Sequence, residues 1–345
     1  MSEKNLAIKA MSADNFKPVS HKNFMDAETI SAPSLSFLQD AWRRLTKNKA
    51  AIVSLVILVI VTVLALMAPL LAPHDYAAQN AQFANLPPKI PGLEWLSLFD
   101  GKTRVAGAAI DAYAHAGVPN GQYFYLGTDA LGRDLLSRIL YGTRVSLFIG
   151  IVAATLNLVI GVPYGIVSGW FGGRVDNLMQ RFLEVMSGVP NLVIVILLLL
   201  VLKPGIASII IALAFTEWIT MARLVRAETL KIKNAEYVLA ARSLGESGFN
   251  IAVKHILPNI AGVVIIQTIF SIPAAIFFEA FLSFIGLGIP APQASLGTLI
   301  NDGYKTFRFL PHLMWYPAGV LCSVMISFNM LANGLRDALD PKIND

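Results

Sequence analysis

Charge is scarce in this sequence. Asp, Glu, Lys and Arg supply only 14% of its 345 residues, against 55% hydrophobic residues. A soluble domain carries roughly 25% charged residues, so a wholly water-facing surface is excluded and lipid must cover the remainder. Cysteine is scarcer still. Cys322 stands alone, which excludes a disulfide framework and a cysteine-based zinc site. The five histidines show no ligand spacing, so no metal centre is expected. The first 35 residues are polar and mixed in charge, without the apolar run of a signal peptide. Gly101-Lys102-Thr103 ends like a phosphate-binding loop, but Leu96 stands where the motif requires glycine. The chain is therefore not expected to hydrolyse ATP, and no Ser-His-Asp or metalloprotease pattern stands out.

Long apolar runs are what the sequence does have. About 20 such residues cross a bilayer. The expected spans are Ala50 to Ala72, Val145 to about Trp170, Gly188 to Leu202, Ile206 to Ala222, Ile260 to Gly288, and Leu313 to Gly334. Lys203-Pro204-Gly205 reads as a short turn between the third and fourth. The net charge of +5 fits basic cytoplasmic loops better than nucleic-acid binding. Arg43, Arg44, Lys47 and Lys49 precede the first span, Arg223 to Lys254 holds six more basic residues, and Arg336 follows the sixth. Six spans bring all of these to one side, so both termini and residues 223–258 are expected in the cytoplasm and 74–144 outside. Arg138 and Arg144, at an outer boundary, count against this arrangement.

The chain then divides into a polar tail (1–35), an interfacial helix with the first span (36–73), an outer loop (74–144), a core (145–335) and a short tail (336–345). Phe37, Leu38, Ala41, Trp42 and Leu45 recur at helical spacing, which reads as an interfacial amphipathic helix. The outer loop is rich in turn formers and is expected to be a small irregular element. Gly161, Gly165, Gly169 and Gly173 fall four apart along one ridge, suited to close helix packing.

Two carboxylates interrupt apolar spans. Glu217 is expected to meet Arg223 or water near the cytoplasmic end. Glu279 lies in the outward half and either lines a cavity or bonds a neighbouring helix. Asp129, Arg133 and Asp134 are expected to form local pairs and turn bonds, with contact to a binding protein as the alternative. A different class remains open at this point: an ion-coupled secondary transporter or channel in which Glu217 and Glu279 bind ions.

Residues 223–255 decide between these classes. Glu236 to Leu244 has a helical pattern ended by Gly245, and Val238, Ala241 and Leu244, with Ala240 beside them, are read as one face suited to a partner's groove. Pro258 is placed where the chain turns into the fifth span. Ala240, Ala241, Gly245, Leu257 and Pro258 resemble, in register, the cytoplasmic signature of ABC-importer permeases, with Leu239 and His255 departing as in the peptide-importer branch. Residues 126–144, 279–288 and 333–341 also resemble dipeptide and oligopeptide permeases, and Pro290 to Gly297 resembles the oligopeptide group. The resemblance covers about Ser36 to the end.

That likeness implies an all-α membrane protein of six spans with the type I ABC-importer permease fold. It implies the C-type permease subunit of an oligopeptide importer, with dipeptides, glutathione or nickel chelates as alternative cargo. The implied partners are a second homologous permease, two ABC ATPase subunits that use ATP and magnesium, an extracytoplasmic peptide-binding protein and the bilayer of a bacterial cell membrane. This chain would bind no cofactor. The implied ATPase-coupling residues are Glu236, Val238, Ala240, Ala241, Leu244, Gly245, Leu257 and Pro258, with Glu279 a candidate for the substrate pathway.

Overall fold

A computed structural model describes residues 37–105 and 108–339. The tail 1–35 and the last residues of the C-terminal tail lie outside the described residues. The helices in chain order are α1 (Phe37–Lys47), α2 (Lys49–Leu66), α3 (Ala68–Leu71), α4 (Ala112–His115), α5 (Leu135–Phe171), α6 (Gly173–Gly188), α7 (Asn191–Leu202), α8 (Ile206–Thr216), α9 (Trp218–Ile232), α10 (Glu236–Ser243), α11 (Gly248–Ile251), α12 (Leu257–Phe284), α13 (Leu296–Lys305) and α14 (His312–Leu339). A hairpin of β1 (Lys102–Val105) and β2 (Ala108–Asp111) is antiparallel, with Lys102 opposite Asp111.

Among the described residues five helical segments are long and apolar enough to cross a membrane, and six if the bent pair α6–α7 is one span. The chain is thus a multi-pass membrane protein. Val53, Val56, Val59, Ile60 and Val63 of α2 are exposed, a stripe of branched aliphatics along one face that suits lipid. A helix satisfies its own backbone polar groups, which is what crossing hydrocarbon requires.

Several span boundaries differ from the sequence reading. The second span starts ten residues earlier than Val145, because Asp134 caps α5 by accepting from the Ser137 N–H at 2.9 Å. At 37 residues, α5 is about 55 Å long by helix rise, so one end stands clear of a ~30 Å hydrocarbon core. The third span is not a single straight run: α6 and α7 meet at 78° around Val189-Pro190. The fourth breaks at Glu217 and continues through α9 to Ile232, well past Ala222. The fifth begins at Gly248, passes through a π-helical segment (Ala252–Ile256) and ends at Phe284. Pro258 therefore sits at the second residue of α12, inside a continuous helical run, and turns nothing; the N–H it lacks would have bonded back into the preceding turn, which is the π-helical segment. The reversal lies at Leu244–Ser247. The Lys203–Gly205 turn stands as expected between α7 and α8.

Close approach holds the core pair α5–α9 together. A Cβ on Gly161 would lie 2.7 Å from the Met221 side chain, on Gly165 2.5 Å from the Ala222 carbonyl oxygen, and on Gly169 2.7 Å from Thr229 Cβ. These three glycines form the packing ridge. Gly173 does not belong to it: α5 has ended at Phe171, and a Cβ there would meet nothing within 4 Å. At the same end of the bundle α1 lays Ala41 and Leu45 inward while Trp42 stays exposed. Leu45 and Ala51 pack with Ala338 of α14.

The opposite end carries the long loop, which stops at Asp134, not Arg144. It is more ordered than an irregular element. Leu86, Tyr113 and Phe124 form a small core of their own, and the Tyr113 hydroxyl donates to the carbonyls of Pro87 (3.0 Å) and Phe124 (3.2 Å). The loop between α12 and α14 contains α13, a helix absent from the sequence reading, with Ser295 and Thr298 in a capping box.

Candidate coupling surface

The short helix α10 begins at Glu236, whose carboxylate stands in the first turn where the helix dipole favours it. It ends in a Schellman arrangement. The Glu246 N–H donates to the Ala241 carbonyl at 3.1 Å and the Gly245 N–H to that of Arg242 at 3.0 Å. Gly245 closes the motif with φ +82°, and a Cβ there would meet nothing within 4 Å. Its requirement is therefore purely one of backbone conformation.

Burial divides α10 differently from the sequence reading. Val238 (1% exposed) and Ala241 (8%) face inward. They pack with Val162 of α5, Met221 and Val225 of α9, and Ile251 and Ile256 beyond the turn. Leu244 does not share their face; it is 89% exposed. The reason is angular. A step of three residues rotates 300° about a helix, so two steps carry position 244 about 120° away from 238. Ala241 is therefore an anchor for α10 and not a free docking contact. The outward set is Glu236, Tyr237, Leu239, Ala240, Leu244 and Gly245, joined by Phe249 at 77% exposure. Tyr237, Leu239 and Phe249 were missed because the motif drew attention to its small residues. Leu257 packs against the anchoring core, whereas Pro258 is exposed.

Polar bonds fix this end of the bundle. Arg226 of α9 grips Asp176 of α6 with both arms of its fork, at 2.5 and 2.6 Å, and Ser168 of α5 donates to the same carboxylate at 2.6 Å. Bidentate charge-assisted bonds of this kind are the strong class. Lys233 donates to the Gly169 carbonyl at 2.9 Å. Arg242 lies 5.3 Å from the Trp170 ring. The His255 ring, 2.8 Å away, and Lys254 at 3.4 Å hold the Glu246 carboxyl below its ordinary range. Beside α10, Trp170, Phe171, Phe249 and Leu257 help line an apolar hollow of about 660 Å³. The whole unit is braced against α5 and α9, so it moves with them.

The intramembrane carboxylates take structural partners. Glu279 is fully buried: Ser146 of α5 donates to one oxygen at 3.1 Å and Ser283 to the other at 2.7 Å. Ser146 also accepts from the Leu296 N–H at 3.2 Å. Glu279 therefore ties α12 to α5 and α13 and, in this conformation, faces no cavity. Glu217 pairs with Asn191 at 3.5 Å; Arg223 instead donates to Ser187 at 2.8 Å. Asp129 and Arg133 form the expected local pair at 2.7 Å and Asp134 the expected turn bond.

Arrangement and sequence agree with the comparisons. The family described as binding-protein-dependent transport system inner membrane component matches residues 161–345, and the N-terminal transmembrane domain of oligopeptide transport permease C matches 36–88. The chain belongs to the binding-protein-dependent transport permeases. A dipeptide transport system permease protein of Lactococcus lactis is 44% identical over 96% of this chain and 98% of its own length. An oligopeptide transport system permease protein of Bacillus subtilis is 42% identical over 95% and 97%. A chain of the inward-facing MetNI methionine ABC transporter superposes with a TM-score of 0.50 at 16% identity, covering 60% of this chain and 98% of that one. That likeness concerns the fold, which is that of type I importer permeases.

Proposed function

We infer that this permease forms, with a second homologous permease, the path by which peptides enter a bacterial cell. Two ABC ATPase subunits would supply the drive, holding ATP and magnesium, and an extracytoplasmic peptide-binding protein would deliver cargo. Relatives named for dipeptide and for oligopeptide transport match at 44% and 42% identity, so peptide is the cargo class, and residues 290–297 favour the longer peptides. Both termini and residues 223–258 lie in the cytoplasm in this reading, with the loop before α5 outside.

The observation that carries the reading is α10: a helix clamped on one side by Val238 and Ala241 and bare on the other at Tyr237, Leu239 and Leu244. Exposed apolar groups in a cluster mark a surface awaiting a partner. An ATPase gripping that bare side transmits its closure through α5 and α9, because the clamp leaves α10 no independent freedom. ATP then biases a two-state equilibrium between inward- and outward-facing arrangements. The test is co-purification. Leu244→Asp should leave the permease inserted and folded while the ATPase subunits fail to co-purify, and full retention of ATPase with normal uptake would reject the reading.

A further inference from the structure

A second polar cluster stands at the opposite end, where cargo would arrive. Arg138 of α5 is 1% exposed and Arg133 5%. Both face the same two carboxylates. Arg133 bonds Asp129 at 2.7 Å and stands 3.6 Å from Asp302; Arg138 stands 3.5 Å from Asp129 and 3.9 Å from Asp302. Among the described residues the one side-chain hydrogen bond of Arg138, to the Tyr76 carbonyl, is 3.5 Å long, and its buried Nε has no hydrogen-bond partner. A guanidinium offers five donors, and ordinary bonds to oxygen span about 2.7–3.2 Å. This one is sealed from water and underused.

Beside it opens a cavity of about 440 Å³. Arg133, Arg138, Lys305, Asn301, Thr298 and Gln293 contribute its polar part, beside a larger apolar part that includes Leu131, Ile289 and Pro290. Lys305 leans on Asp302 at 3.4 Å. Counting the cluster, three cations face two carboxylates, and Asp302 is itself 43% exposed. The cluster therefore carries one positive charge more than its carboxylates balance, at the polar side of a mostly apolar cavity.

We propose that this cavity is a carboxylate subsite that takes the C-terminal carboxylate of an incoming peptide, with Arg138 and Lys305 as its cationic contacts and Asp302 as the internal competitor the ligand displaces. The proposal rests on the peptide-import reading. It specifies one recognition element common to peptides of any sequence.

The test uses the complete transporter of two permeases and two ATPases in nanodiscs, without binding protein, titrated with trialanine and with trialanine amide by saturation-transfer NMR. Trialanine should bind about tenfold more tightly than its amide, the usual worth of one charge-assisted bond. Lys305→Gln, at an exposed side chain, should erase most of that difference. Asp302→Asn should strengthen trialanine binding and leave the amide unchanged, a gain that a purely structural ion pair does not produce. Equal affinity for acid and amide, or no binding of either by the wild type, overturns the proposal. So does a variant effect confined to affinity for the binding protein, which would make the cluster a protein-docking patch. Uptake of trialanine by the wild-type transporter with its binding protein tests peptide import separately.

Discussion

Replacing Gly165 by alanine adds a single methyl at the tightest point between α5 and α9. That Cβ would stand 2.5 Å from the Ala222 carbonyl oxygen, 2.7 Å from Val225 Cβ and 2.9 Å from the Arg226 nitrogen. Carbon atoms settle at about 3.5–4.0 Å, so the helices must part by roughly 1 Å. Two of the three obstacles are backbone and cannot rotate away. Overpacking of this kind costs about 1–3 kcal/mol, partly offset by the ~0.5–1 kcal/mol that alanine gains over glycine in a helix. The net expectation for Gly165→Ala is a loss of up to about 2.5 kcal/mol by that arithmetic. Gly319→Ala in α14 supplies the contrast, because a Cβ there meets nothing within 4 Å. It should be neutral or stabilising by up to ~1 kcal/mol. Both are measured as unfolding of the purified subunit in mixed detergent micelles. Equal stability of the two variants would refute the ridge as a packing device. Because α10 is clamped to this pair, Gly165→Ala should also lower uptake more than Gly319→Ala.

Three further outcomes follow from the same contacts. In a Cys322→Ala background, Asn120→Cys should react with an impermeant thiol reagent in intact cells and Ser243→Cys only after permeabilisation; the reverse pattern would invert the topology. Glu279→Leu should strand the Ser146 and Ser283 hydroxyls, each a buried polar group worth about 1–3 kcal/mol, and so lower the melting temperature and the uptake of acidic, neutral and basic tripeptides alike; selective loss for one charge class would restore a cavity role for Glu279. Gly245→Val should cost about 1–3 kcal/mol through backbone strain alone, with Gly245→Asn milder because asparagine tolerates the left-handed region, and equal melting of the two would show that the φ of +82° is not required.

The spans were legible because apolar runs are a direct consequence of lipid solvation, and the Gly161–Gly169 ridge because a period of four keeps one helix face. What escaped had no signal of that kind. Arg138 reads from sequence only as a charge at an outer boundary, whereas it is buried against Asp129 and Asp302; its partner Asp302 lies more than 160 residues on, beyond any local pattern. Helix α13 was hidden because its ten residues (Leu296–Lys305) are too few and too polar to read as a span. The 78° bend at Pro190 was invisible because polar α6 and apolar α7 read as unrelated segments. At α10 the sequence identified the helix and its glycine stop, yet the facing of Ala241 depended on α5 and α9, which only the fold brings alongside.

The central claim is that the bare side of α10, and not its buried side, engages the ATPase. The direct measurement compares three variants of the assembled transporter. Ala240→Asp and Leu244→Asp change outward residues, while Ala241→Asp places a carboxylate in the anchoring core. The outward pair should preserve the melting temperature of the isolated permease and abolish ATPase co-purification and peptide-stimulated hydrolysis. Ala241→Asp should lower the melting temperature of the permease itself, since an unpaired buried charge costs several kcal/mol. Normal coupling in both outward variants, with an uncoupled but thermally intact Ala241→Asp, would contradict the account.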